Sequence, residues 1–166
     1  MLNQGALAQA ESLLTRLQSK GLTLATAESC TGGLIAAALT AIPGSSATLL
    51  AGFVTYSNAA KQAMVGVPAA LLAAHGAVSA PVACAMAEGA LAASGADLAI
   101  AVTGIAGPGG AVPGKPVGLV HLALARRGVP TRARHHIFPG DRMAVRAATV
   151  DQALALIADS LEPATP

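Results

Sequence analysis

The order of apolar and polar positions divides the chain into segments of two periods. Between Leu2 and Lys20 the apolar residues Leu7, Ala10, Leu13, Leu14 and Leu17 recur at the spacing of one helical face, and Gly21 closes the segment. Leu22–Ala27 then reads as a short buried strand, and Thr31-Gly32-Gly33 leads into an apolar helical run, Leu34–Ile42, stopped by Pro43-Gly44. Ala51–Ser57 carries the β-branched and aromatic content of a strand. Asn58 is its expected sequel, an N-cap for a short helix through Lys61 to Val65. A second short helix is predicted over Ala69–Ala74. A longer one is capped by Ser79, takes Pro81 as its first helical residue and runs to Ser94 before Gly95. Leu98–Val102 is a continuous apolar strand that enters a Gly- and Pro-rich stretch, Thr103 to Gly118. Val117–Ala125 and Thr131–Phe138 predict a hairpin turning at Arg126–Pro130, and Asp141 caps a last helix over Arg142–Leu161, with Glu162–Pro166 expected to fray.

Helices alternating with strands, then a hairpin, imply an α/β fold: a three-layer α/β/α sandwich around a mixed sheet of about five strands. The 166 residues fit one domain, with no internal repeat and no linker. Composition narrows the picture further. Apolar types make up 54% of the chain and charged residues only 11%, which excludes a disordered or charge-solvated chain. Alanine is the commonest residue and aromatics are only 2%, so the core must be small and aliphatic. No apolar run reaches the ~18 to 20 residues of a bilayer span, and no basic segment precedes an apolar one near the start, so a membrane or exported protein is not expected. Cys30 and Cys84 lack CxxC spacing, which supports neither a disulfide framework nor a zinc site and points to the cytoplasm. A net charge of +2 without a large basic cluster, and without aromatics to stack bases, argues against nucleic acid. The small-molecule classes remain.

In open α/β sheets ligands bind beyond the carboxyl ends of the strands. Three loops of that kind hold nearly all the unusual residues: Glu28 to Gly33, Tyr56 to Lys61, and Thr103 to Gly118. In the first, Ser29, Thr31, Gly32 and Gly33 bring hydroxyls and amides to a helix start, an anion site or a simple N-cap; Glu28 reads as a binding group or an ion-pair partner. In the third, glycines that include Gly104 and Gly107 let backbone approach a ligand beside Thr103. Gly109–Lys115 matches the GxxxxGK spacing, but Pro116 follows where a P-loop needs Ser or Thr, and a strand follows where it needs a helix. Lysine occurs only at 20, 61 and 115. Lys61, on a short Ala- and Gln-rich helix beside a strand end, becomes a usable base if it is desolvated. Ser45, Ser46 and Tyr56 are the hydroxyls near it in sequence, although on spacing alone Lys61 reads as solvated and Ser46 as a helix cap. Cys30 is a rival nucleophile if helix amides favour its thiolate. Arg142 and Arg146 share a face of the last helix and suit a phosphate or local pairing. The histidines, His135 and His136 among them, lack ligand spacing, so no metal is expected.

Ala27-Glu28-Ser29-Cys30-Thr31-Gly32-Gly33, Pro43-Gly44-Ser45-Ser46, Gly52-Phe53-Val54-Thr55-Tyr56-Ser57-Asn58 with Lys61, His75-Gly76-Ala77-Val78-Ser79, Thr103-Gly104-Ile105-Ala106-Gly107-Pro108, Lys115-Pro116-Val117-Gly118 and Phe138-Pro139-Gly140-Asp141-Arg142 together resemble the CinA C-terminal domain family, over almost the whole chain. The resemblance implies deamidation of nicotinamide mononucleotide to nicotinate mononucleotide and ammonia, without metal or organic cofactor. It also implies a serine-lysine mechanism with Ser46 as nucleophile, Ser45 its competitor, Lys61 as base and Tyr56 assisting, and substrate contacts from Glu28, Ser29, Thr31, Gly32, Gly33, Thr103, Gly104, Gly107 and Arg142. Longer relatives are expected to carry a further N-terminal domain. A non-catalytic nucleotide-binding module using the same loops is the alternative, and the sparse surface charge suits a homodimer.

Overall fold

The computed structural model describes residues 2–162; the expected fraying of Glu162–Pro166 lies almost wholly outside them. The elements in chain order are α1 (Gln4–Ser19), β1 (Leu24–Glu28), α2 (Leu34–Thr40), a 3-10 turn at Ser45–Ala47, β2 (Leu49–Val54), α3 (Asn58–Val65), α4 (Ala69–His75), α5 (Ala80–Ser94), β3 (Leu98–Gly104), β4 (Leu119–Arg126), β5 (Val129–Ile137) and α6 (Arg142–Asp159). One five-stranded sheet runs in the order β2-β1-β3-β4-β5. The three strands β2, β1 and β3 are parallel, and β4 and β5 complete the sheet antiparallel.

Each strand presents different side chains to the two faces, because successive residues point to opposite sides. In β3, Leu98, Ile100 and Val102 face one core and Ala99 and Ala101 the other; in β4, Leu122 and Leu124 join the first and Ala123 and Ala125 the second. The large face is covered by α1, α2 and α6, through Leu13, Leu17, Ile35, Leu39, Leu154 and Ile157. The alanine face is covered by α3, α4 and α5, through Val65, Leu72, Val82 and Met86. These are the three layers predicted. Gly89 of α5 shows how closely its layer packs, since a Cβ there would lie 1.7 Å from the carbonyl oxygen of Val65.

The strand boundaries differ from expectation where side chains compete for the backbone. Ser57, rather than Asn58, caps α3, accepting from the Ala60 amide at 3.0 Å, so the chain must leave β2 before it. β1 extends one residue further than predicted, to Glu28, because both neighbouring strands pair with it there. Pro81 sits within the first turn of α5 behind the Ser79 cap, and Asp141 caps α6 by accepting from Ala144 N–H at 2.9 Å. Among the described residues, no helix is long and apolar enough to cross a membrane.

Candidate functional site

Parallel pairing of β1 with both β2 and β3 brings their carboxyl ends together, with Glu28 in register with Val54 on one side and Val102 on the other. The residues that follow these strands therefore meet. Their loops, with the segment before α5 and the start of α6, enclose a cleft of about 250 Å³ whose lining includes Ser29, Cys30, Tyr56, Asn58, Lys61, Thr103, Gly104 and Arg142.

Lys61 lies one turn into α3 and is only 1% exposed. Its Nζ donates to the Thr55 carbonyl at 2.9 Å, lies 3.1 Å from Ser29 Oγ and reaches the Tyr56 carbonyl at 3.5 Å. No carboxylate is among these partners. Burial lowers the lysine below its ordinary value of 10.5, because a low-dielectric surrounding penalises the ammonium. A buried amine held by backbone carbonyls and facing a serine hydroxyl is the geometry of a base paired with a nucleophile.

Ser46 is elsewhere. It is exposed on the 3-10 turn that precedes β2, whereas Lys61 follows β2. The strand between them spans roughly 17 Å at ~3.3 Å per residue, so Ser46 and its neighbour Ser45 belong to the amino edge of the sheet and do not meet the lysine. The expected pairing of Ser46 with Lys61 is thus corrected: Ser29, read from the sequence only as a substrate contact, is the hydroxyl on Lys61.

Glu28 is also corrected. It is fully buried, and its carboxylate accepts from the amides of Gly33 and Ile35 at 3.0 Å and Ala36 at 2.8 Å, from Thr31 Oγ1 at 2.7 Å and from Thr26 Oγ1 at 3.3 Å. The anion at the start of α2 is the chain's own. The amides of Gly33, Ile35 and Ala36 at this helix start are taken by Glu28, so the Glu28 carboxylate and the Thr31 hydroxyl hold the loop together. Gly32 and Gly33 both take positive φ there, which glycine adopts without strain.

The remaining expected residues are distributed around the cleft. Tyr56 stands at its rim, 59% exposed, and its hydroxyl accepts from Arg142 at 3.0 Å. Arg142 also donates to the Gly107 carbonyl at 2.9 Å, which ties the glycine loop to α6. Gly107 is thereby a backbone anchor and does not line the cleft. Thr103 and Gly104 line the floor, Thr103 donating to the Ala77 carbonyl at 2.8 Å. Arg146 donates to the Thr31 carbonyl at 2.9 Å and so braces the loop from behind. Cys30 is buried, and desolvation together with nearby Glu28 pushes its thiol up to about 11. Asn58, Ala77 and Val78 were not anticipated as lining. The short segment before α5 has no reactive side chain at Ala77 and Val78 and stands out in the sequence only through the family resemblance of His75–Ser79.

Among the described residues, no group of His, Cys, Asp and Glu is placed to hold a metal ion.

The model of the CinA C-terminal domain matches residues 7–161. A CinA-like protein of Citrifermentans bemidjiense is 58% identical over 144 residues, which cover 87% of this chain and 34% of that protein. A CinA-like protein of Akkermansia muciniphila is 51% identical over 157 residues, 93% of this chain and 38% of that one. The chain thus spans little more than a third of the length of these relatives. Among solved structures, the competence/damage inducible protein CihA of Agrobacterium tumefaciens superposes with a TM-score of 0.93 at 47% identity, covering 97% of this chain and 98% of that one. The competence damage-inducible protein A of Klebsiella pneumoniae gives 0.91 at 42% identity, over 94% and 96%. With a family model matched over nearly its whole length and relatives above 50% identity over most of it, the chain belongs to the CinA C-terminal domain family.

Proposed function

We propose that the cleft hydrolyses a carboxamide by a serine-lysine mechanism, with nicotinamide mononucleotide as substrate and nicotinate mononucleotide and ammonia as products. The observation that carries this reading is the 3.1 Å approach of Lys61 Nζ to Ser29 Oγ, in a buried setting without a carboxylate to hold the lysine charged. An amide is a poor electrophile, so its hydrolysis needs a deprotonated nucleophile, donors for the oxyanion and a proton for the leaving amine. The neutral Lys61 amine would take the Ser29 proton as Oγ attacks the carboxamide carbon. The resulting ammonium would return that proton to the departing nitrogen as the C–N bond breaks, leaving an ester on Ser29. Water, deprotonated by the same amine, would then cleave the ester, releasing the carboxylate and restoring the serine.

The amides of Cys30 and Thr31, next to the nucleophile, donate to no backbone carbonyl among the described residues, and they would serve the oxyanion. Cys30 is a weak rival nucleophile, since a thiol raised to about 11 is almost wholly protonated at neutral pH. The test is ammonia release from nicotinamide mononucleotide. Ser29→Ala and Lys61→Ala are expected to lose about 10³-fold or more in kcat with native circular dichroism, and Ser46→Ala to retain the parental rate. Loss of activity in Ser46→Ala with retention in Ser29→Ala would overturn the assignment, and tight nucleotide binding without ammonia release would make the domain a binding module.

A further inference from the structure

A second groove, of about 400 Å³, lies against the alanine side of the sheet and is lined by residues that include His75, Val78, Ser79, Lys115, His121 and His135. It adjoins the cleft, with Val78 lining both. We infer that this groove is the phosphate subsite of the same active site, where Lys115, His121, His135 and the start of α5 receive the phosphate monoester of the nucleotide. This inference rests on the reading of the cleft as a nucleotide carboxamidase.

Four observations converge on an anion. The lining holds no carboxylate. Lys115 reaches across from the glycine loop to the His75 carbonyl at 2.7 Å, a bond that uses one of its three donors and leaves two. His121 and His135 are directly opposed on β4 and β5, with ring centroids 5.6 Å apart, and the buried Nδ1 of His121 has no partner among the described residues. Finally, α5 is a helix of 15 residues whose first turn, from the Ser79 cap, faces the groove, adding the positive end of its dipole. Burial, then the neighbouring His135 and Lys115, lower the His121 value. A dianion between these groups would reverse the electrostatic part of that shift.

The competing positions are weaker. The start of α2 is filled by Glu28. Arg142 gives one N–H from each terminal nitrogen to the Gly107 carbonyl and the Tyr56 hydroxyl, which fixes its guanidinium between the glycine loop and the cleft rim. The pocket on the far side of Arg142 is lined by Asp141, which repels a phosphate.

The test follows the histidine imidazole signals by NMR, assigned with His121→Gln and His135→Gln, while ribose 5-phosphate, ribose and inorganic phosphate are titrated separately. Ribose 5-phosphate is expected to move the His121 and His135 signals, ribose to leave them, and His136, stacked on Phe138, to stay fixed. Lys115→Gln, with unchanged circular dichroism, is expected to weaken that titration at least tenfold. It should also raise KM for nicotinamide mononucleotide about tenfold while KM for nicotinamide riboside and both kcat values stay near parental. Unmoved His121 and His135 signals, or an unchanged titration in Lys115→Gln, would overturn the subsite. Inorganic phosphate binding as tightly as ribose 5-phosphate would assign the groove to the free ion instead. Because the titration needs no turnover, a protein that binds ribose 5-phosphate here yet releases no ammonia would refute the deamidase reading and leave the anion site standing.

Discussion

At the scale of single residues, Lys61 and Glu28 are opposite solutions to burying a charge. Glu28 keeps its carboxylate among five donors, three of them backbone amides, so its ionised form replaces the hydration it lost. Glu28→Gln would turn an amide NH₂ group toward donors. We expect it to cost about 3 kcal/mol in denaturant unfolding and to lower kcat by shifting Ser29, the next residue. Lys61 has no such compensation, and its value falls below 10.5. Between the lowered folded value and 10.5 the unfolded chain binds more protons than the folded one, so this lysine's contribution to stability becomes more favourable as pH rises through that window. Lys61→Met is therefore expected to be inactive yet more stable than the parent at pH 7, with the gap closing as pH approaches 10.5; thermal melts across pH check this. In the parent, kcat/KM should rise with pH to a plateau as the free amine appears, with a midpoint below 10.5. A falling profile would contradict Lys61 as base.

At the scale of elements, the alternation of Leu, Ile and Val with Ala along β3 and β4 sets different spacings for the two helical layers. Alanine lets α5 approach closely, and Gly89 lets it pass Val65. Leu98→Ala on the large face should leave a cavity and cost about 2–5 kcal/mol. Ala101→Leu on the other face should overpack and cost about 1–3 kcal/mol. Gly89→Ala, whose Cβ meets backbone rather than a flexible side chain, should cost at least as much as Ala101→Leu. Urea unfolding of the three variants gives the comparison. These elements were legible because helical and strand periods are local properties, and the caps Ser79 and Asp141 carry their own hydrogen-bonding instruction. The ends of β1 and β2 were not, because pairing with neighbouring strands and the Ser57 cap decide where each stops.

At the scale of the whole molecule, the cleft exists only when strands β1, β2 and β3, the start of α5 and the start of α6 are assembled, so ligand binding must be linked to global stability. With turnover removed by Ser29→Ala, nicotinamide mononucleotide at a hundred times its Kd is expected to add about 2.7 kcal/mol, a rise in Tm of about 5–11 °C. Nicotinamide riboside at the same concentration should give a smaller rise if the phosphate occupies the groove at Lys115. Equal shifts for the two would argue against it.

The chain by itself determined the order of helices and strands, the three loops that gather at one edge, and the isolation of Lys61 on a short helix, because each of these is written in neighbouring residues. Only the tertiary structure decided which serine meets that lysine and which anion fills the start of α2. Ser46 is nearer to Lys61 in sequence, but a strand carries the chain from one edge of the sheet to the other between them; Ser29 is twice as distant, yet it follows a parallel neighbour and arrives at the same edge. Glu28, a binding group by its position after a strand, turns back onto amides of its own helix. Local spacing encodes conformation, whereas the partners of a buried charge are set by strand direction and register, which join residues distant in the chain.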